Sequence, residues 1–379
     1  MNFGRFFGKT IPQMAPHFDE AEGKALFDFM KYNRWDLSST NELEKTLADF
    51  TGSKYGIFSV NGTLTLTLAL LALDIKPGDE VLVPASTMIA TANACVLIGV
   101  KPVLVDVETS TLCMDLEKAA EAITPKTKAM MYVPLNGRSG NMDRVLEFAK
   151  SRKLFLIEDA AQALGSYWKG EHSNKKHLGT FGDIGSFSFS LYKIITTGQG
   201  GALVTDSEEL QKKINLLKNF GQTSNDIHDY PGWNFKFSNI LAVIGLEQFK
   251  KLSERIRRKK EIYKYYHDRL SSIPDIEFIP TNLDITTPWF IDIFLKDRDG
   301  LAEFLKTKGI GTRNFYPAIN TQKIYREEYL NKTFPVAESC GKRGLWLPSA
   351  IQLTQSELEY ITDTIAGYFK KRGGISRLQ

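Results

Sequence analysis

Short apolar runs alternate with amphipathic stretches along the chain between residues 55 and 206. Several runs have the length and composition of buried strands, namely KYGIFSV, EVLVPAS, KPVLVDV, KAMMYVPL, LFLIEDA, IGSFSFS and GGALVTD. Stretches with helical spacing lie between most of them, such as GTLTLTLALLAL at 62–73 and MDRVLEFAKSRK at 142–153. Strands that alternate with helices of this length predict βαβ crossovers and a mostly parallel sheet that is covered on both faces.

The pattern changes after residue 238. A long helical stretch is predicted from Ser238 towards Leu270, followed by a strand at PWFIDIFLK, a helix at LAEFLKTKG and a final amphipathic helix at TQSELEYITDTIAGYFKKR. A chain of 379 residues is long enough for more than one folding unit. The sequence therefore predicts an α/β fold with a large domain over residues 1–254, which includes the N-terminal segment, and a smaller α+β domain over residues 255–379.

Composition and charge argue against nucleic acid and membrane partners. The chain is 42% hydrophobic and 24% charged, which is ordinary for a soluble enzyme or binding protein. The net charge of +4 is small, and the most basic segment, residues 254–270, is interpreted as a solvated helix face. The longest apolar run, LTLALLAL at 66–73, is far shorter than the ~20 residues that cross a bilayer. We therefore expect neither partner.

Cysteines and histidines give no sign of a metal site or of secretion. The three cysteines, Cys95, Cys113 and Cys340, form no CxxC pair, and the five histidines lack the spacing of metal ligands. The N-terminus MNFGRFFGKTIPQ lacks the apolar segment of a signal peptide. We therefore expect no metal and a cytoplasmic location, where thiols stay reduced.

One lysine stands at an unusual position. In FSFSLYKIITTGQGGALVTD, residues 187–206, Lys193 follows a strand-like run and precedes a tract of Thr and Gly. Lysine is rarely buried alone, so its place beside a core strand needs a chemical reason. A partly desolvated lysine has a neutral amine often enough to act as a nucleophile and a base. The glycines after Lys193 are interpreted as leaving room for a cofactor.

Other strand ends carry polar groups that complement this lysine. Asp159 ends one strand run, and Ser188 ends the run before Lys193. Gly62 and Thr63 form a strand-to-helix turn, which aims backbone N–H groups at an anion. Because the carboxyl ends of parallel strands line one crevice, these groups are expected to meet. The set fits pyridoxal 5'-phosphate (PLP), which needs a lysine at its aldehyde, a carboxylate at its ring nitrogen and a phosphate site.

Three segments resemble the DegT/DnrJ/EryC1/StrS family of PLP-dependent nucleotide-sugar aminotransferases. They are EDAAQALGS, GTFGDIGSFSFSLYKIITTGQGGALVTD and GWNFKFSNILAVIGLEQ, and the similarity extends over nearly the whole chain. Within the family, YKIITTGQGG most resembles the GDP-perosamine synthase-like enzymes. The resemblance implies the aspartate aminotransferase fold (PLP fold type I) and a homodimer with shared active sites.

The resemblance also implies roles for individual residues. The catalytic residue would be Lys193, which would form the Schiff base with PLP. The other cofactor-binding residues would be Asp159 at the pyridine nitrogen, Gln162 near the phenolic oxygen, Gly62, Thr63 and Ser188 at the phosphate, and Asn234, which would reach the phosphate from the neighbouring subunit. Arg313 and Tyr316 would line the sugar-binding side.

Several positions depart from the family pattern. Met88 stands where a Tyr or Phe usually stacks on the pyridine ring, and its soft thioether can also cover an aromatic face. The alternative is that Met88 only packs in the core. The segment PLNGRSG replaces the family's HLYGQ at Pro134, Asn136 and Arg138, and Lys236 replaces an Arg. These departures leave the acceptor substrate open and do not affect the cofactor assignment.

The predicted function is transfer of an amino group from L-glutamate to a keto-deoxysugar linked to a nucleotide, in amino-sugar biosynthesis for a surface polysaccharide such as lipopolysaccharide. One alternative is a PLP aminotransferase that acts on a smaller, phosphorylated ketone. Another is a non-catalytic regulator that binds a sugar nucleotide on the same fold. The intact Lys193 argues against the sugar dehydratases of the family, in which histidine replaces this lysine.

Overall fold

The computed structural model describes residues 10–32, 38–170 and 175–375. Its helices are α1 (Glu20–Lys31), α2 (Ser38–Thr51), α3 (Gly62–Ala72), α4 (Ala90–Val96), α5 (Leu116–Ala122), α6 (Met142–Ser151), α7 (Glu208–Lys218), α8 (Asn239–Lys250), α9 (Leu252–Leu270), α10 (Arg298–Thr307), α11 (Lys323–Arg326), α12 (Pro335–Arg343) and α13 (Gln355–Ile375). Its strands are β1 (Tyr55–Ser59), β2 (Glu80–Pro84), β3 (Lys101–Val105), β4 (Thr127–Tyr132), β5 (Phe155–Asp159), β6 (Tyr167–Trp168), β7 (Lys176–His177), β8 (Ile184–Ser188), β9 (Gly201–Thr205), β10 (Gln222–Ser224), β11 (Ile227–His228), β12 (Ile291–Phe294), β13 (Arg313–Asn314) and β14 (Gly344–Leu347).

The main sheet has seven strands in the order β3-β2-β4-β5-β8-β9-β1. The neighbours from β3 to β8 pair in parallel, whereas β9 pairs antiparallel with both β8 and β1. The predicted α/β fold with a mostly parallel sheet is confirmed. Because β1 runs in the same direction as β8, the carboxyl ends of the parallel strands share one edge with the amino end of β9.

Successive residues of the central strands pack into two separate hydrophobic cores, one on each face of the main sheet. In β5, Leu156 belongs to one core and Ile157 to the other. In β2, Leu82 lies in the first core and its neighbours Val81 and Val83 lie in the second. Side chains alternate across a strand, so a strand buried on both faces has a continuous apolar sequence. This explains the uninterrupted apolar runs.

A second, antiparallel sheet lies in the C-terminal part of the chain, with the strand order β12-β14-β13. Its apolar residues share a hydrophobic core with α9, α10 and α13. This core contains Ile293 of β12, Ile262 of α9 and Ile361 of α13. The mixed character predicted for this region agrees with the structure. The predicted boundary between residues 254 and 255 lies inside α9 and stays a prediction.

The helical stretch predicted from Ser238 to Leu270 is divided into two helices. α8 and α9 are separated by Lys251. The Lys251 ammonium group lies 2.7 Å from a carboxylate oxygen of Asp19 and 2.6 Å from one of Glu22. The junction of α8 and α9 is therefore tied to the beginning of α1, a helix that the apolar pattern did not reveal.

Two kinds of feature are absent from the part of the chain that the structure describes. None of its helices is both long enough and apolar enough to cross a membrane. The same residues contain no group of three or more His, Cys, Asp or Glu side chains that could hold a metal ion.

Candidate active site

A cleft lies at the edge of the main sheet where β5 and β8 end. Its lining includes Gln162, Ser188, Lys193, Thr287 and Trp289. The first three belong to the main-sheet region, whereas Thr287 and Trp289 come from the segment that leads into β12. The main-sheet region and the segment before β12 therefore build the cleft, at the carboxyl ends of parallel strands, where open α/β sheets bind ligands.

Lys193 follows β8, and its ammonium group lies 3.9 Å from the ring centroid of Trp289. Burial lowers the pKa of Lys193 from 10.5 to about 8, because desolvation disfavours the charged form. The carboxylate of Asp159 opposes this shift, and the guanidinium of Arg313 adds to it. At pH 8 about half of the amine is then neutral, compared with about 0.3% for an ordinary lysine. Such an amine can act as a nucleophile and a base.

Asp159, the last residue of β5, is 6% exposed. Its carboxylate accepts a hydrogen bond of 2.7 Å from the Thr91 hydroxyl and one of 3.3 Å from the N–H of Ala161. Burial raises the pKa of Asp159, while the Thr91 hydrogen bond and the charge of Lys193 oppose the shift. A carboxylate this dry is stabilised by a nearby cation, which a protonated ring nitrogen would supply.

The turn between β1 and α3 presents free N–H groups. Asn61 is the N-cap of α3, and its side-chain oxygen accepts a 2.9 Å hydrogen bond from the N–H of Leu64. Gly62 and Thr63 are the first two residues of the helix, so their N–H groups have no intrahelical acceptor. A Cβ atom on Gly62 would lie 3.4 Å from the Ser188 hydroxyl oxygen. The structure thus brings Gly62, Thr63 and Ser188 together, as expected for an anion site.

The glycines after Lys193 differ in their surroundings. A Cβ atom on Gly198 would meet no atom within 4 Å. Whether these glycines leave room for a cofactor stays a prediction. A Cβ atom on Gly201 would lie 2.4 Å from the Asn61 carbonyl carbon and 2.6 Å from the Gly62 nitrogen. On Gly200 it would lie 2.6 Å from the Thr197 hydroxyl oxygen. Gly201 therefore lets β9 approach the β1–α3 turn, so it shapes the anion site through the protein's own packing.

Gln162 and Met88 differ in their surroundings. Gln162 is 6% exposed, and its side-chain oxygen accepts a 2.9 Å hydrogen bond from the N–H of Asn136. Met88 is 43% exposed and precedes α4, where its carbonyl accepts a hydrogen bond from the N–H of Thr91. Met88 is therefore not a core residue in this chain. Whether it covers the cofactor ring stays a prediction.

Arg313 and Tyr316 lie near the cleft on the C-terminal side. Arg313 is exposed on β13, and its guanidinium lies 5.3 Å from the ring centroid of Trp346. Tyr316 is buried with its ring edge-on to Trp346, at 4.7 Å between centroids. Burial raises the pKa of Tyr316, an effect that Arg313 opposes and the charge of Asp159 increases. The charge of Arg313 also lowers the pKa of Lys193. Arg313, Asp159 and Lys193 therefore interact electrostatically.

Asn234 lies apart from these groups within one chain. It is exposed and forms an antiparallel bridge with Asn219, and among the described residues it is not part of the cleft lining. Lys236 donates a 2.9 Å hydrogen bond to the Asn219 side chain and lies over the ring of Phe220. The proposed contact of Asn234 with a neighbouring subunit stays a prediction.

The segment that departs from the family pattern is largely engaged in internal contacts. Asn136 contacts Gln162, whereas Arg138 is 4% exposed and forms an ion pair with Asp292. Pro134 precedes the short 3-10 helix Leu135–Gly137. The Arg138 guanidinium is therefore committed to Asp292 rather than free to bind a substrate.

Two residues at the site were missed by the sequence reasoning, namely Thr91 and Trp289. Thr91 lies in the first turn of α4, three residues after Met88. From there its hydroxyl reaches Asp159 at the end of β5. Trp289 stands at the beginning of the apolar run PWFIDIFLK, and its indole N–H donates a 2.9 Å hydrogen bond to the Tyr192 carbonyl. This hydrogen bond fixes the indole beside Lys193.

Comparisons with known proteins identify the family of the chain. Residues 16–366 match the model of the DegT/DnrJ/EryC1/StrS aminotransferase family. The GDP-perosamine synthase of Escherichia coli O157:H7 is 36% identical over 372 residues, which cover 96% of this chain and 100% of the relative. That of Caulobacter vibrioides is 36% identical over 365 residues, 93% of this chain and 96% of the relative. The PLP form of Spr1654 from Streptococcus pneumoniae superposes with a TM-score of 0.87 at 26% identity, covering 94% of this chain and 97% of that one.

The packing of Gly201 against the β1–α3 turn generates a test of the anion site. In Gly201→Ala, the new Cβ would collide with backbone atoms, so the turn must shift. We expect the dissociation constant for PLP to rise about tenfold or more, since overpacking of this kind typically costs 1–3 kcal/mol. The measurement is a titration of the apo-protein with PLP.

Gly23→Ala is the matched control, because a Cβ atom at this position in α1 meets no atom within 4 Å. This variant should bind PLP like the wild type. An unchanged dissociation constant in Gly201→Ala would show that the turn does not contribute to cofactor binding.

Proposed function

Because the chain belongs to the DegT/DnrJ/EryC1/StrS aminotransferase family and is a PLP-dependent aminotransferase, we propose that it transfers an amino group from L-glutamate to a keto-deoxysugar linked to a nucleotide. The observation that carries the proposal is the desolvated amine of Lys193 opposite the buried carboxylate of Asp159. The relatives named GDP-perosamine synthase, which align over almost their whole length, support a nucleotide-linked sugar as the acceptor.

The residues of the cleft fit the cofactor. When bound, PLP supplies an electron sink that stabilises negative charge at the carbon next to the transferred amino group. In the proposed arrangement, Asp159 holds the ring nitrogen protonated, and Thr91 orients the carboxylate. The N–H groups of Gly62 and Thr63, with the Ser188 hydroxyl, bind the phosphate.

Lys193 is proposed to act as the nucleophile and as the proton carrier. Its lowered pKa of about 8 makes the neutral amine available near physiological pH. In this form the amine would accept a proton from the donor's α-carbon and would deliver it to the C4' carbon of the bound cofactor. Trp289, fixed by its hydrogen bond to the Tyr192 carbonyl, limits the directions that the amine can take.

The acceptor is proposed to enter beside Arg313 and Tyr316. Arg313 is an exposed cation close enough to influence Lys193, which suits an anionic substrate such as a carboxylate or a diphosphate. Tyr316 supplies a hydroxyl at the same side. The two alternatives are less favoured. The aligned relatives are named for a GDP-linked sugar, which does not suggest a small phosphorylated ketone. A regulator would not need a desolvated lysine.

We further propose a homodimer with shared active sites, acting in the cytoplasm and serving amino-sugar synthesis for a surface polysaccharide such as lipopolysaccharide. Exposed aromatic side chains lie close to Asn234 in the sequence, since Trp233 is 39% exposed and Tyr230 is 56% exposed. Aromatic side chains of this kind are enriched at protein interfaces. The cysteines Cys95, Cys113 and Cys340 are buried and free, which suits a reducing compartment.

The acceptor is tested with a panel of nucleotide-linked keto-deoxysugars and L-glutamate as donor. We expect mass spectrometry to detect an amino sugar for at least one member of the panel. Lys193→Ala should lose about 10²–10⁴-fold or more in rate, because both the nucleophile and the base are removed. Lys264→Ala, which truncates an exposed lysine of α9, should keep the wild-type rate.

Two results would contradict the proposal. If 2-oxoglutarate forms from L-glutamate but no member of the panel is aminated, a different ketone is the acceptor. If Lys193→Ala completes both half-reactions at the wild-type rate, the assignment of Lys193 is wrong.

The shared site is tested by mixing Lys193→Ala and Asn234→Ala subunits. Each variant alone should be weak at limiting PLP. If Asn234 completes the partner's site, random exchange makes about half of the dimers mixed, each with one intact site, so about a quarter of the wild-type activity returns. Activity equal to the mean of the two parents would show that the site is not shared through Asn234.

A further inference from the structure

A buried ion pair joins the two sheets next to the cleft. Arg138 follows β4 of the main sheet, and Asp292 belongs to β12 of the second sheet. The guanidinium donates from Nη1 to Oδ1 at 3.0 Å and from Nη2 to Oδ2 at 2.6 Å. The two side chains are only 4% and 1% exposed. Because desolvation offsets most of the attraction in such a pair, stability alone is a weak reason for it.

Asn136 is the third member of this cluster. Its side-chain Nδ2 donates a 2.8 Å hydrogen bond to Asp292 Oδ2. The Asn136 backbone is in the left-handed region, with φ 53° and ψ 30°. Asparagine tolerates this conformation better than most residues, and the bond to Asp292 holds it there. Asp292 therefore fixes the turn that contains Asn136.

The turn that contains Asn136 determines the orientation of the Gln162 amide. The backbone N–H of Asn136 lies 2.9 Å from Gln162 Oε1. A backbone N–H can only donate, so the oxygen of the Gln162 amide must face Asn136 and its NH₂ group must point elsewhere. Since Gln162 lines the cleft together with Lys193, the donor end of the amide is the one left for a ligand.

We propose that Arg138, Asn136 and Asp292 are positioning residues, which hold the Gln162 amide so that its N–H groups face the anionic ring oxygen of the cofactor. The unit spans the junction of the two sheets, so the orientation of Gln162 depends on how the sheets are docked. The replacements at Asn136 and Arg138, relative to the family pattern, thus act on the cofactor's environment through Gln162. This inference rests on the proposed placement of the cofactor at Lys193.

The orientation that Arg138, Asn136 and Asp292 give to Gln162 should affect the absorbance of the bound cofactor. A donor at the ring oxygen withdraws electron density that would otherwise hold the proton on the nitrogen joined to Lys193. Without the donor, that proton is held more tightly, and the pH midpoint of the visible absorbance band of the holoenzyme moves upward. A hydrogen bond to a charged group corresponds to a shift of about one pH unit.

The experiment compares pH titrations of the absorbance band in a set of holoenzymes. The main variant is Arg138→Met with Asp292→Leu, which replaces both charges by apolar groups and leaves no unpaired charge in the core. Gln162→Leu, which removes the donor itself, is the reference. Asn136→Gly keeps the ion pair but removes the side-chain bond to Asp292 that holds the turn. Glycine is compatible with the left-handed backbone, so this variant should fold, but its freedom also lets the turn leave that conformation.

The matched control is Arg343→Met with Glu277→Leu, which removes another arginine–carboxylate pair, with 2.6 Å between N and O, that does not contact Asn136. We expect an upward shift of about one pH unit in Gln162→Leu and a shift of the same sign in the double variant and in Asn136→Gly. The control should keep the wild-type midpoint, because the Arg343–Glu277 pair does not belong to the cluster that contacts Gln162.

An unmoved midpoint in Asn136→Gly, with cofactor attached normally, would overturn the proposal without affecting the proposed function. So would an unmoved midpoint in Gln162→Leu. If borohydride reduction of the wild type leaves no cofactor on Lys193, both the proposed function and this inference fail.

Discussion

The removal of water from the Lys193 amine is the constraint on which the site depends. A lysine in water is almost fully protonated at neutral pH and cannot attack a carbonyl group or accept a proton. Burial at the edge of the main sheet lowers its pKa to about 8, and the charge of Asp159 keeps the shift from going further. The same burial raises the pKa of Asp159, and the Thr91 hydroxyl and the charge of the lysine oppose that rise. Each group thus limits the desolvation cost of the other.

The rest of the fold keeps this pair dry and correctly placed. The parallel strands bring Asp159 and Lys193 to one edge, and the segment that leads into β12 adds Trp289. Close packing also positions the anion site, because Gly201 lets β9 lie against the β1–α3 turn. The cleft is complete only when both sheets are docked, and the Arg138–Asp292 pair lies across that junction.

The sequence predicts the main sheet well because strands buried on both faces are continuous apolar runs with turns between them. It also predicts which strand ends meet, since parallel strands place their carboxyl ends together, and this unites Asp159, Ser188 and the β1–α3 turn. It does not reveal Thr91 or Asp292. Their contacts span 68 residues to Asp159 and 154 residues to Arg138, and no local periodicity encodes such a distance. The close packing of Gly201 against Asn61 is hidden for the same reason, because the two residues are distant in sequence.

The central claim is that the Lys193 amine has a pKa far below that of an ordinary lysine. The most direct measurement is the rate at which a small acylating reagent modifies Lys193 in the apo-protein as a function of pH, followed by mass spectrometry of the peptide. The account predicts a rate that levels off above a midpoint at about pH 8, while exposed lysines such as Lys264 react with a midpoint near the usual lysine value of about 10.4. A midpoint for Lys193 equal to that of the exposed lysines would contradict it.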